Sequence, residues 1–355
     1  MIDWTQSMQQ SFEYYTVNPH TWKDDKQLKN VKPGSTLTRD SELETRGSAT
    51  IDLTESVGEC YIRVYLIAIQ NGVTYKKPLG TYIMQTPMSS FDGKIRNVSV
   101  DAYTPLLELK ENPPPLGYSI LEGENIMDMA YQLTSENVRA PVVPAKSDKT
   151  LFFNFIADTE EKWLAFVSDL IANAKHHFDV DEMGRILFAP EQDTASLQPV
   201  WTYTDDNSSI LQPDFDMEHD LFDVPNVVEV VYTSGRDSYY AKVVNDDPNS
   251  PTSTVNRGRQ IKHRITNPDT LGDPTNNQIQ EYARTYLKEV STLTYKVTYT
   301  HGYNEVRVGD CVRLNYTRAG IKDIKAKVIS QNIKCEPGCP VTEKAIFTVK
   351  LWGDT

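Results

Sequence analysis

Residues 60–70 read CYIRVYLIAIQ and are followed directly by Asn71-Gly72. Apolar residues occupy both alternating sets of positions, which indicates a strand that is covered at least partly on both faces. Asparagine followed by glycine suits a two-residue turn that needs positive φ angles. We therefore predict a central strand of a sheet at 60–70, continuing into a hairpin.

Further strand signals surround this run. Short runs rich in Val, Ile, Thr and Tyr, each bounded by Gly, Pro, Asp or Asn, predict strands, and they lie at 48–53, 80–85 and 95–102. Asp92-Gly93 predicts a second hairpin turn. The later Pro113-Pro114-Pro115 cannot donate backbone hydrogen bonds, so it marks a domain boundary.

Two amphipathic helices are predicted after this boundary, because apolar residues recur at helical spacing over about 124–138 and 158–175. The second is expected to begin at Asp158, with Glu161 placed for a capping box. A hairpin over 178–189 follows it. Residues 191–223 are acidic and show no clear hydrophobic periodicity, which predicts a connection that contains short strands.

The C-terminal part repeats the β–α–β order. Strand signals flank residues 234–237, and a loop at 245–254, rich in Asp, Asn, Pro and Ser, is expected to lie on the surface. Thr275 and Gln278 predict a capping box for a third helix at about 277–291. The remaining strands are predicted at 227–232, 239–244, 293–300, 311–316, 325–334 and 345–352. Together these elements indicate a β-rich α+β fold.

Composition and charge exclude several classes of protein. The 49 acidic and 36 basic residues give a net charge of −13, which disfavours tight nucleic-acid binding. The longest apolar run, 64–69, is too short for a bilayer that needs roughly 20 residues. The N-terminus lacks the features of a secretory signal, so synthesis is expected to end in a cytoplasm. The four cysteines are accordingly expected to be reduced.

Few motifs point to chemistry. A P-loop, a nucleophile elbow and a dinucleotide-binding glycine motif do not occur, so nucleotide chemistry and catalytic residues are not predicted. Cys311, Cys335 and Cys339 are weak candidates for a zinc site; a disulfide and free thiols at a tight turn are the alternatives. His176-His177 before Asp179 and Asp181 offers metal ligands but lacks a known metal-binding spacing. We expect no cofactor.

Two further patterns leave other functions open. Glycoside hydrolysis needs paired carboxylates, and the candidates are Asp205-Asp206, Asp246-Asp247 and Asp214/Asp216, which acidic surface loops also explain. Paired tyrosines could form a sugar-binding platform, and they lie at Tyr14, Tyr15, Tyr239 and Tyr240. Alternation of these tyrosines between core and surface is the simpler interpretation.

Several segments resemble baseplate hub proteins of long-tailed bacteriophages. Residues 11–22 and 38–49, reading TRDSELETRGSA in the second case, are similar to the opening of these proteins. The stretch PLGTY at 78–82 and the stretch SVDAY at 99–103 resemble their first tube-like domain. The C-terminal helix followed by VRVGDCV at 306–312 resembles the second such domain, where a Gly-Asp turn opens a barrel strand.

The resemblance implies two tail-tube-like β-barrel or sandwich domains, at 1–110 and 213–355, with flanking helices and a middle α+β domain at 111–212. It implies a non-enzymatic homotrimeric hub that closes the distal end of a tail tube and gives a conduit for DNA, which passes without specific binding. The implied partners are the tail tube, distal-tail, tape-measure and tip or fibre proteins, in a virion assembled in the host cytoplasm. A hexameric distal-tail ring protein and a carbohydrate-binding or hydrolytic tail-tip module are the alternatives.

Overall fold

A computed structural model of the chain describes residues 2–55, 57–91, 96–192, 194, 196–206, 210–219, 224–234, 237–268 and 275–352. It forms two compact units. The first contains residues 1–215 and 299–345, and the second contains residues 216–298 and 346–355. The fold is β-rich, as predicted, with few helices and large antiparallel sheets. The three-domain division at 1–110, 111–212 and 213–355 stays a prediction.

The N-terminal part consists of antiparallel strands that enclose an aliphatic core. Ile62, Val64 and Leu66 are fully buried in it, and residues 61–70 pair with a strand on each side, which confirms the predicted central strand. The elements are β1 (Gln9–Val17), β2 (Asp24–Leu28), β3 (Thr36–Asp40), β4 (Gly47–Leu53), β5 (Tyr61–Gln70), β6 (Val73–Phe91), β7 (Arg96–Tyr103) and α1 (Leu107–Glu111).

The next part builds a second core from two helices and a hairpin. Apolar residues of both helices face the hairpin residues Phe178, Ile186 and Phe188, and this cluster is almost completely buried. The elements are β8 (Ser119–Ile120), α2 (Ile126–Asn137), β9 (Phe155–Ile156), α3 (Trp163–Ala172), β10 (His176–Val180), β11 (Ile186–Pro190), β12 (Trp201–Thr204) and β13 (Leu211–His219).

The C-terminal part contains a second helix-covered sheet. Ile279, Ala283 and Leu287 recur every four residues and pack, fully buried, on the sheet that contains Val228 and Val230. The elements are β14 (Val227–Ser234), β15 (Asp237–Val244), α4 (Thr254–Arg257), β16 (Lys262–Thr266), α5 (Asn276–Val290), β17 (Thr292–Gly302), β18 (Cys311–Asn315), a 3-10 helix (Thr317–Ala319), β19 (Ile324–Lys334) and β20 (Pro340–Lys350).

Within the first unit, strands from both ends of the chain share one sheet. Neighbouring strands follow the order β18, β19, β3, β4, β7, β6, β5, β1, β2, and all of these pairs are antiparallel. The pairing of β3 with β19 joins residues almost 300 positions apart, from Ser330 opposite Asp40 to Lys334 opposite Thr36. Residues near the two ends therefore build one surface.

Two of the predicted local signals, one turn and one helix cap, form as predicted. Asn71 and Gly72 both have positive φ angles, 50° and 76°, and connect β5 to β6. Thr275 and Gln278 form the capping box of α5. The predicted Asp92-Gly93 turn lies outside the described residues, although β6 and β7 pair with Phe91 opposite Arg96. Residues 235–236, between β14 and β15, lie outside them as well.

One local expectation is wrong, and another holds only in part. Helix α3 begins at Trp163 rather than Asp158, because residues 158–161 form a separate turn in which the Asp158 amide donates to the Glu161 carboxylate. The 245–254 loop is not simply a surface loop, since Asn245, Thr252 and Ser253 are fully buried. The Asn245 side chain donates to the Ser250 hydroxyl, and the Thr252 carbonyl accepts from the Asn226 side chain, which offsets the cost of burying these groups. Among the described helices, none is long and apolar enough to span a membrane.

Candidate functional site

The turn of the β10–β11 hairpin is fastened to the N-terminal sheet by a buried joint. Arg63, which is 1% exposed, donates to Asp24 at 2.7 Å, to Thr81 at 2.9 Å and to the Met183 carbonyl at 2.9 Å. The Trp22 indole donates to the same carbonyl at 2.7 Å. We call this set of contacts the hairpin joint. Because Arg63 is buried and the Trp22 indole is partly buried, these hydrogen bonds hold the hairpin in one position on the sheet.

Gly184 and the ion pairs of Glu182 complete the hairpin joint. Gly184 has a φ of +76°, and a Cβ atom there would lie 2.7 Å from Thr81, so a larger residue does not fit. Glu182 pairs with Arg39 at 3.3 Å and with Arg307 at 2.8 Å. Burial on its own raises the pKa of Glu182, but the two guanidiniums hold this pKa below its usual value.

A second polar cluster lies in the interior of the first unit. His301 Nε2 is 3.0 Å from the Tyr203 hydroxyl and 3.2 Å from Glu343, and its Nδ1 donates to the Gly302 carbonyl at 2.6 Å. Gln331 donates to Glu343 at 2.7 Å. Burial and the Glu343 carboxylate raise the pKa of Tyr203 well above its usual value.

This cluster contains residue types that are common at catalytic sites, but a substrate cannot reach it. His301 and Glu343 are 0% exposed and Tyr203 is 1% exposed, so a substrate cannot reach them in this conformation. Burial by itself raises the pKa of Glu343, yet His301 and Gln331 keep this pKa below its usual value. The cluster therefore links polar groups in the interior of the unit by short contacts and contributes to the structure of the core.

The predicted histidine and aspartate ligands are committed to other partners. His176 donates to the Ala174 carbonyl at 2.7 Å, while Asp179 and Asp181 pair with Arg307 and Arg185. Burial lowers the pKa of His177. Among the described residues, no group of three or more His, Cys, Asp or Glu side chains is arranged to hold a metal ion.

The cysteines are free thiols in the described chain. Cys335 and Cys339 lie in the aliphatic core at the 335–339 turn, and Cys311 is buried outside that cluster. Burial raises the pKa of Cys335 to about 12 and also raises the pKa of Cys339. Since a zinc ligand must be a thiolate, this environment opposes metal binding.

Asp205, one of the predicted paired carboxylates, is committed to structural contacts, and the paired tyrosines do not all face solvent. Asp205 accepts hydrogen bonds from the Arg318 amide, Thr317 and the Arg318 guanidinium, which lower its pKa to about 2. A group this acidic cannot serve as the general acid of a glycosidase near neutral pH. Tyr14 is buried, so the four tyrosines do not form one exposed platform.

Two apolar surfaces were missed by the sequence reasoning. Phe152 and Phe153 are 82% and 80% exposed, beside the short β8–β9 pair. A groove of about 530 Å³ in the same unit is lined by Trp4, Tyr75 and Trp201, among others. The signal for the first surface was present, because two consecutive phenylalanines that fit no helical or strand period are unusual outside a core.

Comparisons with solved structures identify similar folds. A tail protein from Neisseria meningitidis MC58 is 15% identical with a TM-score of 0.64, and the match covers 96% of this chain and 97% of that one. The 43 kDa tail protein of prophage MuSo2 from Shewanella oneidensis is 11% identical with a TM-score of 0.62, covering 95% and 98%. A chain of the Francisella PdpA–VgrG complex is 10% identical with a TM-score of 0.57, covering 99% and 60%.

Sequence comparisons give no match. No protein-family model matches the chain, and a search of curated proteins gives no significant match. The structural matches extend over nearly the whole chain, so they concern the complete fold rather than one domain. The resemblance to phage tail hub proteins is confirmed at the level of the fold: this chain has the fold of solved phage tail proteins and of a chain from a VgrG complex.

Proposed function

We propose that the protein is a non-enzymatic structural component of a phage tail tip, a hub that works by assembling with copies of itself. The observation that carries this proposal is the match to two solved tail proteins over at least 95% of this chain and at least 97% of theirs. The cluster around His301 is consistent with a structural role, because His301, Glu343 and Tyr203 are buried where a substrate cannot reach them.

In this proposal three copies form a ring at the distal end of a tail tube. Residues 1–110 and 213–355 supply two tube-like β domains, and residues 111–212 form the middle α+β domain. The ring joins the tube to distal-tail, tape-measure and tip or fibre proteins, in a virion assembled in the host cytoplasm. A net charge of −13 suits a conduit that DNA passes without binding, since acidic walls repel phosphates.

Mass and symmetry test the proposal. Three copies of the 40.3 kDa chain weigh about 121 kDa, whereas the hexameric distal-tail alternative weighs about 242 kDa. We expect native mass spectrometry to give the trimer mass and electron microscopy to show a three-fold ring with a central hole. A six-copy ring would select the alternative, and a compact monomer at high concentration would refute the hub function.

A further inference from the structure

The three-stranded sheet of the second unit has one face that its helix does not cover. Helix α5 packs on the face that holds Val228 and Val230. Side chains alternate between the two faces of a strand, so the residues between these two lie on the other face. There the strand registers place Glu229 of the central strand β14 between Lys242 of β15 and Arg264 of β16.

This uncovered face is positively charged. Lys242 is exposed, and the side chains of Lys262 and Arg264 are 48% and 67% exposed. Lys262 and Arg264 approach the Glu229 carboxylate at 3.4 Å and 2.8 Å. We call these four residues the basic face. Its ion pairs and strand registers make it one continuous patch, in which three bases surround one acid and leave a net charge of +2.

The distribution of charge along the chain makes this face distinctive. Residues 248–268 contain four basic residues and no acidic one. Residues 111–212, in contrast, contain 17 acidic and six basic residues, a net charge of −11, which is most of the −13 carried by the whole chain. A basic face attracts an acidic surface, and residues 111–212 of a second copy supply one.

Helix α2 presents an acidic surface within that range. Asp128, Gln132 and Glu136 follow one another at four-residue spacing, so they lie in one stripe along the helix. The Gln132 amide donates to Glu136 at 3.0 Å, which joins two of them directly. All three are exposed, while Ala130 and Leu133 of the same helix are buried. We call the three residues the acidic stripe; the helix contains no basic residue.

The spacing of charges on the two surfaces matches. Lys242 and Arg264 lie on the two strands that flank β14, so their backbones are about 10 Å apart. Asp128 and Glu136 are eight residues apart, which is about 12 Å along a helix. In the basic face a carboxylate lies between the two bases, and in the acidic stripe a neutral amide lies between the two acids. A helix laid across the strands therefore places opposite charges together and a possible donor opposite the carboxylate.

We propose that the basic face of one copy receives helix α2 of a neighbouring copy. This inference rests on the proposed function, because it supplies a contact between neighbours in the ring. The two surfaces lie at different places on one chain, so the contact runs head to tail, which closes into a ring when the rotation permits. A 12-residue helix on three short strands covers less than a standard interface. The contact therefore orients neighbouring copies and speeds their association, while other surfaces supply most of the affinity.

Reversal of the charges tests this contact from both sides. Lys262→Glu with Arg264→Glu reverses the basic face, and Asp128→Lys with Glu136→Lys reverses the acidic stripe. Each double variant should weaken self-association about 10–100-fold in sedimentation experiments, because like charges then meet. The first makes the chain more acidic and the second makes it less acidic, so general repulsion cannot explain a loss in both. A variant with all four changes should assemble like the wild type.

Two further variants are the controls. Lys29→Glu with Lys322→Glu changes the net charge as much as reversal of the basic face does, but both lysines are exposed outside that face, so assembly should be unchanged. Lys262→Gln with Arg264→Gln keeps amide donors for Glu229 and removes only the positive charges, and it should weaken self-association about 10-fold. An unaltered thermal midpoint establishes that each variant folds.

The outcomes separate the two proposals. Weaker assembly of both reversed variants, with recovery in the fourfold variant, supports the contact. A ring that both reversed variants still form, or a fourfold variant that does not recover, overturns this inference and leaves the hub function standing. A double-stranded DNA probe that binds the wild type but not the reversed basic face, with assembly unchanged, assigns the face to nucleic acid and also overturns the contact. A wild-type chain that stays monomeric overturns the hub function, and this contact with it.

Discussion

Replacing Arg63 with methionine should destabilise the hairpin joint by about 3–4 kcal/mol, the lower part of the range for breaking a buried ion pair, because Arg63 is buried while its partner Asp24 is 29% exposed. Methionine approximately fills the space, so the loss is one of hydrogen bonds rather than of packing. The change leaves the Thr81 hydroxyl, the Met183 carbonyl and the Asp24 carboxylate without the donor that now lies 2.7–2.9 Å away. The Trp22 indole still reaches Met183, which keeps the hairpin near its site.

Hydrogen exchange measures this local effect. The Gly184 and Arg185 amides, which donate to Asp181 within the hairpin turn, should exchange about 10²–10³-fold faster in the variant, since each 1.4 kcal/mol is a factor of ten. Arg313→Met is the matched control. Arg313 pairs with Asp323 on the surface, where both side chains are more than a third exposed, so its loss should cost less than about 1 kcal/mol.

The comparison of the two arginines decides the matter. If Arg63→Met accelerates exchange in the hairpin no more than Arg313→Met does, the buried arginine does not hold the joint and the reasoning is refuted. If exchange accelerates throughout the first unit, Arg63 supports the sheet as a whole rather than the hairpin.

Three further outcomes are expected. Gly184→Ala should lower the free energy of unfolding by about 2–4 kcal/mol in urea titrations, because the added Cβ atom meets the Thr81 side chain. Gly123→Ala is the control, since it has open space around it and should cost only about 1 kcal/mol. Equal losses in the two variants would contradict the packing argument. The pKa of Asp205 is lowered from 3.8 to about 2 in the folded chain, so its contribution to stability is present above about pH 4 and is lost as the pH falls towards 2. Asp205→Asn should therefore reduce the loss of folding stability between about pH 4 and pH 2. An unchanged loss would show that Asp205 does not stabilise the folded chain. At pH 8 a thiol reagent should modify Cys60 slowly and Cys335 only when the chain unfolds, because burial raises the pKa of both thiols. EDTA should leave the thermal midpoint unchanged. Rapid modification of the folded chain, or a lower midpoint in EDTA, would support the zinc-site hypothesis again.

The elements that sequence reasoning placed correctly depend on residues close together in the chain. The Asn71-Gly72 turn and the Thr275 capping box each need only two to four neighbouring residues. The start of α3 was wrong because the same local signal at Asp158 and Glu161 stabilises an isolated turn as well as a helix. Local chemistry indicates that a turn forms but not whether a helix continues from it.

The hairpin joint could not be predicted, because Trp22 and Arg63 meet a carbonyl 161 and 120 residues away. Neither the composition of a segment nor its hydrophobic periodicity indicates contacts between residues so far apart in the sequence. One sign was available: a single arginine in a strand covered on both faces requires buried partners. The buried network in the 245–254 loop involves residues close together in the sequence, but it could not be predicted either, because its polar composition is the same as that of a surface loop.

The acceptors in the hairpin joint have an evolutionary consequence. Two donors meet at the Met183 carbonyl, and Thr81 donates to the Glu182 carbonyl, so this part of the attachment recognises main chain rather than side chains. Every residue carries a carbonyl group, and position 183 is therefore free to drift as long as the turn keeps its course. Mutational tolerance of this kind is compatible with one fold being built from very different sequences, and the solved structures with this fold share only 10–15% of their residues with this chain.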